Sequence, residues 1–546
     1  MAQPPTAAEP VSVRDRAGEF LDNPTVALWA TVATVAAAVG VLLVRLVPDV
    51  SGKPLFDDEV VAGLTSVHSI GALLDIVLFD RGGAPLHFLV GHFALLVSPS
   101  PEALRWLSVV FAVATVLVCY DLGHRLAGRT AGIVAAIVAG TSSMLAVYGS
   151  VGRMYALFAL ASAIAVDLFV RALDERTPAA VYVAALAAWL LPAVHPYGLV
   201  IAGIELGVAL VLWRGRPFKP AIPVIVLVLA LAPFVVADMR LGERFGVGTS
   251  ASGSVASPDF AADQLRDALE AFAGGAGLLA LVFFAVAILG LYVVFRSRPA
   301  FAVFALLALA AVPILMVLAR ADDELVNRLS PRHLMFGLPI WAALVGVGVA
   351  RIVRDLPRIA VPVAICIVGL AAVLAPAGLS DPRTDPDQTE AALTAPANWV
   401  RDRVEPGDVL LFYSPVFFEA LDETRNAIAI PRSGKPLKMV QRADYPVPGL
   451  IVALPLKGTT VNATALEESV PRAEAGVFPG WVVVSVPGPY EDDHEVLLTG
   501  AETLQAILAA SSDRSLQFRF ALRSSLVTVC DALSELGDAC PPDLLG

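Results

Sequence analysis

The chain has 546 residues, of which 57% are hydrophobic and only 16% are charged. Soluble globular chains carry roughly 25% charged residues, so this composition excludes a single soluble enzyme, and it also excludes a disordered chain. Residues 1–376 hold 26 acidic and 25 basic side chains, whereas residues 377–546 hold 24 acidic and 13 basic. The net charge of −12 therefore lies almost entirely in the last part of the chain, and no basic patch indicates a nucleic-acid partner.

Hydropathy divides the first part of the chain into apolar segments of helix length. A helix that crosses a bilayer needs about 20 mostly apolar residues, because the hydrocarbon core is about 30 Å thick and the helix rises about 1.5 Å per residue. One apolar stretch, residues 84–97, is shorter, contains two histidines and has a proline near its start. Eleven other segments are predicted to cross: 26–47, 104–122, 130–148, 155–173, 179–194, 199–213, 220–238, 276–295, 299–318, 333–351 and 357–376.

Basic residues between these segments predict the orientation. If 84–97 does not cross and the N-terminus is cytoplasmic, every short basic connection faces the cytoplasm, as the positive-inside rule requires. These connections are 124–129, 171–177, 213–219, 295–298 and 351–358. The outer side then receives 48–103, 149–154, 195–198, 239–275, 319–332 and the acidic tail. We therefore predict a multi-pass protein of the plasma membrane in which 84–97 lies at the outer interface or re-enters the membrane.

The chain divides into three predicted regions. Residues 1–25 lack the apolar core and the cleavage site of a signal peptide, so they are predicted to be a cytoplasmic segment before an uncleaved signal-anchor. Residues 26–376 form the transmembrane domain, and residues 377–546 form an extracytoplasmic domain. Cys530 and Cys540 lie in this last domain, where an oxidising compartment would permit a disulfide.

An acidic cluster follows the first span. Asp57, Asp58 and Glu59 come directly after Leu55–Phe56 in the first outer loop. Adjacent carboxylates repel one another, which can raise a pKa and suit one of them to act as a base. The alternative is a solvated helix N-terminus, where acidic side chains interact favourably with the helix dipole.

Cations and aromatic residues lie in the other outer segments. Each of them is compatible with an interfacial anchor. Together, however, they place several cations and one acidic cluster on one face of the bundle, where arginine is well suited to hold a lipid phosphate. These residues are His87, Arg105, Arg153, Tyr155, His195, Tyr197, Arg328, Arg332 and His333.

Carboxylates also lie inside predicted spans, where burial in lipid requires a partner or a water-filled cavity. Glu205 could contribute to a site, or it could be a protonated hydrogen-bond donor between helices.

The outer loop 239–275 joins a Gly/Ser-rich stretch to an amphipathic helix. This loop could be a lid over an outer cavity or a disordered connection.

The order of these outer segments resembles the GT-C glycosyltransferases, specifically the protein O-mannosyltransferase and aminoarabinose transferase superfamily. The resemblance covers residue 20 to about residue 410, and it departs from the family at His333, where relatives often have tyrosine. The matching pieces are Asp58–Glu59 after the first span, APLHF at 84–88, EALRWLS at 102–108, RMYAL at 153–157 and PRHLMFGLP at 331–339.

The resemblance implies transfer of a sugar from a polyprenyl-phosphate donor on the outer leaflet to an acceptor hydroxyl, with inversion at the anomeric carbon. By resemblance, Asp58 or its neighbour Asp57 is the general base, and Glu59 orients the acceptor or tunes the base. Negative charge grows on the lipid phosphate as the glycosidic bond breaks, and cations would stabilise it. The candidates for this role are Arg153, Tyr155, Arg332, His333, Lys53 and Arg105. Such a donor is already activated, so no metal cofactor is required, although a divalent metal stays open.

The tail alternates predicted strands with predicted helices. Strands are predicted at 406–414, 449–456 and 480–488, and helices at 395–404 and 501–511. This alternation is typical of a small α/β domain with a mainly parallel sheet. Such a domain could recognise the acceptor, dock a partner or cap the outer face.

The sequence thus predicts a polytopic α-helical membrane protein of GT-C type, with about 11 transmembrane helices and a C-terminal soluble α/β domain. Its partners would be a polyprenyl-phosphate sugar donor, membrane lipid and an acceptor that is a lipid, a glycan or a protein. One alternative is a secondary transporter, although the repeated halves typical of transporters are not evident. The other alternative is a non-catalytic scaffold for envelope assembly.

Overall fold

The structure is a computed structural model. It describes residues 24–52, 57–66, 69–75, 77–78, 83–98, 102–212, 221–245, 266, 270–273, 278–318 and 331–355, together with the strands 409–412, 427–429, 451–453, 482–485 and 518–520.

The described part of the chain is mostly helical. The helices are α1 Pro24–Gly52, α2 Asp57–Ser66, α3 Ile70–Asp75, α4 Pro85–Val97, α5 Glu102–Ala127, α6 Arg129–Thr141, α7 Ser143–Tyr148, α8 Tyr155–Glu175, α9 Pro178–Val194, α10 Gly198–Leu212, α11 Ala221–Phe245, α12 Leu278–Ser297, α13 Pro299–Leu318 and α14 Leu338–Asp355. A 3₁₀ helix, Pro331–Gly337, leads directly into α14.

Five helical segments within these described residues are long and apolar enough to cross a membrane. They are α1, α5, α8, α12 and the segment Pro331–Asp355, and shorter apolar helices include α4, α6, α9, α10, α11 and α13. Ten of the eleven predicted spans coincide with helices of the structure, and the eleventh, 357–376, lies outside the described residues. The total of eleven crossings stays a prediction.

Local sequence signals explain two helix boundaries. Gly128 has φ = +83°, a left-handed conformation that glycine adopts without strain, and it separates α5 from α6. The predicted span 130–148 is divided at Ser142, whose hydroxyl accepts a hydrogen bond from the Met144 backbone N–H at 3.2 Å and so caps α7.

Helix α14 lies in the centre of the bundle. All residues from Leu338 to Ala350 are buried, and the helix packs against α6 and α12. A Cβ atom at Gly346 would overlap the carbonyl oxygen of Ala131, and one at Gly348 would overlap that of Val286. Glycines thus let three helix backbones approach closely, as small residues do in membrane bundles.

Helices α5 and α8 pack side by side and define two ends of the bundle. The site end holds Glu102 and Tyr155, where these helices begin, and the opposite end holds Ala127 and Glu175, where they end. Twenty helical residues span about 30 Å, so the two ends are separated by roughly the thickness of a hydrocarbon core. The predicted orientation makes the site end the outer one.

Helix α4 corresponds to the segment 84–97. It has 13 residues and is therefore about 20 Å long, shorter than the hydrocarbon core of about 30 Å. It buries His87 and Phe88 and packs against α2, α5 and α9. Its length favours the prediction that it does not cross on its own.

Five short strands of the tail form one sheet in the order β2-β3-β1-β4-β5, and every pairing is parallel. The strands are β1 Val409–Phe412, β2 Ala427–Ala429, β3 Ile451–Ala453, β4 Val482–Ser485 and β5 Phe518–Phe520. Strands β1, β3 and β4 fall within the three predicted strand segments. The predicted helices 395–404 and 501–511 lie outside the described residues, as do Cys530 and Cys540, so the α/β domain stays a prediction.

Candidate functional site

A buried ion pair anchors the segment that follows α1 to the bundle. Glu59 lies in the first turn of α2, and both its side chain and that of Arg105 are almost completely buried. The Nε and Nη2 atoms of Arg105 donate to Oε1 and Oε2 of Glu59 at 2.8 and 2.7 Å. This bidentate geometry is the strongest form of arginine–carboxylate contact.

The same ion pair reaches two further segments. Arg105 Nη1 donates to the Val50 carbonyl oxygen at 2.9 Å, near the end of α1. Glu59 Oε1 also accepts a hydrogen bond from the Gly152 backbone N–H at 2.6 Å. The ion pair therefore ties together α1, α2, α5 and the connection that precedes α8.

Two arginines of the site end lie over aromatic rings. The Arg153 guanidinium carbon is 5.5 Å from the centre of the Phe88 ring, and that of Arg332 is 5.9 Å from the centre of the Tyr155 ring. Stacking of this kind holds a guanidinium group while leaving its edge available for hydrogen bonds. The structure thus places two predicted phosphate-binding cations at the same end of the bundle as Glu59.

Imidazole and phenol rings form a neighbouring aromatic cluster. His195 stacks on Phe158 at 4.6 Å and on Tyr197 at 5.1 Å, and Tyr197 meets His333 edge-on at 5.4 Å. His195 Nδ1 accepts a hydrogen bond from the Tyr197 backbone N–H at 3.2 Å. In this geometry the proton of the neutral imidazole is on Nε2.

The remaining predicted site residues differ in their placement. His87 is buried in α4, with its ring 5.7 Å from that of Phe88. Glu205 is buried within α10, and its Oε2 atom has no hydrogen-bond partner in the described part of the chain. Asp57 and Asp58 begin α2, but their side chains and the whole of Lys53 lie outside the described residues.

Sequence reasoning did not identify three residues that build the site. Gly152 admits Glu59 because it has no side chain: a Cβ atom there would lie 3.3 Å from Glu59 Oε1 and 3.0 Å from Leu104 Cβ. Phe88 and Phe158 provide ring faces for Arg153 and His195. Gly152 and Phe88 directly adjoin the predicted residues Arg153 and His87 in the sequence, and that was the available signal; Phe158 follows the RMYAL segment and had no such signal. No group of three or more histidine, cysteine or acidic residues is arranged to hold a metal ion within the described ranges.

No family model and no curated protein sequence matches the chain. Solved structures do match. The apo structure of ArnT from Cupriavidus metallidurans has a TM-score of 0.51 at 16% identity, covering 78% of this chain and 90% of that one. A second structure of this ArnT, bound to undecaprenyl phosphate, has a TM-score of 0.45 at 16% identity, with 72% and 74% covered.

The apo oligosaccharyltransferase of Archaeoglobus fulgidus has a TM-score of 0.47 at 14% identity. The match covers 71% of this chain and 63% of that enzyme's length. Identities this low bear on the fold alone. The likeness to ArnT extends over most of both chains and confirms the resemblance at that level: the chain has the GT-C fold of membrane glycosyltransferases.

Proposed function

We propose that the chain is a membrane glycosyltransferase that moves a sugar from a polyprenyl-phosphate donor to an acceptor hydroxyl at the site end. The observation that carries this proposal is the convergence of α2, which begins at Asp57, with Arg153 and Arg332 at one end of a GT-C bundle. A carrier of the polyprenyl-phosphate class is supported by ArnT, which has the same fold and has been solved with undecaprenyl phosphate.

In the proposed arrangement, the bundle of residues 26–376 lies in the plasma membrane with eleven crossings. The N-terminal residues 1–25 are cytoplasmic, and residues 377–546 form an α/β domain on the outer side. The parallel pairing of the five tail strands supports that domain type, and the basic connections support the orientation.

The proposed base is Asp58, with Asp57 as the alternative. Asp58 accepts the acceptor's hydroxyl proton while that oxygen attacks the anomeric carbon from the face opposite the phosphate. The bond from the anomeric carbon to the phosphate oxygen breaks, and the polyprenyl phosphate leaves with the electron pair, so the configuration inverts. Positioned general bases contribute about 10²–10⁴-fold to rate.

Glu59 acts in this proposal as a positioning residue. Both of its oxygens are engaged, by Arg105 and by the Gly152 N–H, and it directly follows Asp58 in the first turn of α2. Glu59 therefore holds the turn that carries the base. Arg105 is buried in the same contact, so we assign it to positioning rather than to the phosphate.

The leaving phosphate is assigned to Arg153 and Arg332. Their guanidinium groups are oriented by Phe88 and Tyr155, and two forked cations suit a phosphate whose charge grows in the transition state. His333 adjoins Arg332 and contacts Tyr197, so the cluster of His195, Tyr197 and His333 forms the neighbouring wall of the proposed site. Lys53, His87 and Glu205 stay candidates for the same pocket.

Transfer of a radiolabelled sugar from its polyprenyl phosphate tests the proposal. Wild-type protein should transfer label to an acceptor, and Asp58→Asn should lower the rate by about 10²–10⁴-fold because the base is lost. Asp75→Asn is the matched control, since Asp75 is an exposed carboxylate of the same outer loop, on α3. Equal transfer by Asp58→Asn and wild type would contradict the base assignment. Failure of the wild type with several donors would favour the transporter or the scaffold.

A further inference from the structure

The opposite end of the bundle carries a closed ring of four charged side chains. Arg125 contacts Asp167 at 2.9 Å and Asp121 at 2.8 Å. Arg171 contacts the same two carboxylates, Asp167 at 3.2 Å and Asp121 at 3.3 Å. Each residue of this charge ring therefore has two neighbours of opposite sign, and the ring joins α5 to α8 with no net charge.

A cavity of about 330 Å³ lies beside the charge ring, between α5 and α8. Its walls are apolar on one side and charged on the other: Leu117, Val118, Ile164 and Leu168 line it together with Asp121, Asp167 and Arg171. We call it the α5/α8 groove. Its volume falls within the range of about 300–1,000 Å³ that is usual for ligand pockets.

The groove opens toward the surroundings of the bundle. Leu117 is 50% exposed and Ile164 is 39% exposed, and both lie in helices long and apolar enough to span a membrane. Apolar side chains exposed on such helices face the acyl chains of lipids, so a lipid is the molecule that meets this groove.

The charged side of the groove presents one anion and one cation. The side chains of Asp121 and Arg171 are 44% and 43% exposed, whereas that of Asp167 is only 9% exposed. Both arginines contact Asp121 at Oδ2, and Asp121 and Arg171 both line the groove. An exposed carboxylate oxygen beside an exposed guanidinium group is complementary to a headgroup that carries both an ammonium and a phosphate.

We infer that the α5/α8 groove is a binding site for a zwitterionic phospholipid with a primary ammonium, that is, a phosphoethanolamine headgroup. The phosphate pairs with Arg171, the ammonium donates to Asp121, and an acyl chain lies along Leu117 and Ile164. Arg125 and Asp167 hold the two headgroup ligands in place through the ring. The site is at the opposite end from the proposed transfer site, so it is independent of the proposed function.

Native mass spectrometry of the full-length protein in detergent tests this inference. The protein is titrated with dioleoyl lipids bearing ethanolamine, choline or glycerol headgroups, and the dissociation constant of the first bound lipid is compared. We expect the ethanolamine lipid to bind roughly fivefold more tightly than the other two, since the choline ammonium has no N–H to donate and the glycerol lipid has no cation. Fivefold corresponds to the net value of about one hydrogen bond.

Two variants distinguish the contribution of the α5/α8 groove to lipid binding from that of the charge ring. Ile164→Trp fills the groove without changing a charge and should abolish the preference for the ethanolamine lipid. Asp121→Asn should reduce the preference to roughly twofold or less, because the carboxylate charge is lost. Asp355→Asn is the control, since Asp355 belongs to an exposed ion pair with Arg351 on α14 and lies outside the groove.

Equal affinity for the three lipids would overturn the inference. So would tightest binding of the anionic glycerol lipid, or an unchanged preference in Ile164→Trp. If Asp121→Asn does not fold, the Ile164→Trp result decides alone. A change in oligomeric state of Ile164→Trp, with lipid preference unchanged, would instead assign the groove to a second protein chain.

Discussion

Glu59 and Arg105 are 46 positions apart in the sequence, yet two N–H groups of the guanidinium donate to the two carboxylate oxygens at 2.8 and 2.7 Å inside the protein. The pair is enclosed by segments of α1, α2 and α5 and by Gly152 before α8. Charges removed from water are stable only when geometry and further hydrogen bonds compensate for desolvation. Here the additional contacts to Val50 and Gly152 supply that compensation and hold α1, α2 and the segment before α8 against α5.

Removal of one partner of this pair should destabilise the protein strongly. Glu59→Gln leaves the Arg105 charge buried without its counter-ion, and such a change costs about 3–5 kcal/mol. We expect a lower midpoint of thermal unfolding in detergent. Arg266→Met is the control: it removes an exposed ion pair with Glu270, which contributes less than about 1 kcal/mol.

The double variant Glu59→Leu/Arg105→Met removes both charges. It should be more stable than either single variant, because no unpaired charge stays buried. Transfer activity should nevertheless be lost, since nothing then holds the turn of Asp58 to Gly152. Activity at the wild-type level in this double variant would contradict the positioning role of Glu59.

Hydropathy and charge were sufficient to predict most of the helices, because a bilayer requires long apolar segments and their ends are basic on one side. Hydropathy and charge could not predict that Glu59 pairs with Arg105, because the pairing depends on how α2 folds back onto α5. Arg105 was therefore predicted to be a phosphate ligand from its charge, its predicted outer position and its place in the EALRWLS segment at 102–108. Gly152 has no side chain that could suggest a role from the sequence. Its role becomes visible only in the structure, where there is little space between it and Glu59. Arg153 and Arg332, by contrast, were predicted to lie near the acidic cluster, and they are at the same end of the bundle as Glu59.

Enlarging Gly152 should impair transfer more than it impairs folding. In Gly152→Ala the new Cβ atom lies 3.0 Å from Leu104 Cβ and 3.3 Å from Glu59 Oε1, so the Glu59 carboxylate has to move by a few tenths of an ångström. Because a misplacement of about 1 Å can cost 10²-fold, we expect roughly tenfold lower kcat/KM. Gly203→Ala on α10 is the matched control, since nothing lies within 4 Å of a Cβ atom there. Wild-type kcat/KM in Gly152→Ala would contradict the prediction.

Replacing either stacked arginine, Arg153 or Arg332, with lysine keeps the charge but should lower the rate of transfer from the sugar donor. Arg153→Lys and Arg332→Lys lose the planar fork that contacts phosphate bidentately and stacks on Phe88 or Tyr155. We expect a loss of roughly tenfold in kcat/KM for each, and of about 10²–10³-fold for alanine at either position. Steady-state kinetics with varied donor concentration measures both losses.

Arg296→Lys is the control for these two variants. Arg296 also lies over an aromatic ring, Tyr292, at 5.6 Å, but it is near the last turn of α12, away from the proposed site. Its replacement should leave the kinetics unchanged. An equal effect of all three lysine variants would show a general consequence of losing a stacked arginine and would contradict the phosphate assignment.

Glycines at the contact between α12 and α14 should determine both the stability of the folded protein and the position of Arg332. A side chain at Gly348 would overlap the Val286 carbonyl oxygen, and one at Gly290 would overlap that of Leu344. Gly348→Val should therefore force the helices apart and destabilise the protein by about 1–3 kcal/mol or more. Because α14 continues directly from the 3₁₀ helix that carries Arg332 and His333, the displaced helix should also raise the KM for the donor.

Gly207→Val is the control for this variant. Gly207 lies on a face of α10 with open space around the glycine, so its replacement should change neither the unfolding midpoint nor the KM. A Gly348→Val protein that unfolds at the wild-type temperature would mean that the two helices do not cross at these glycines.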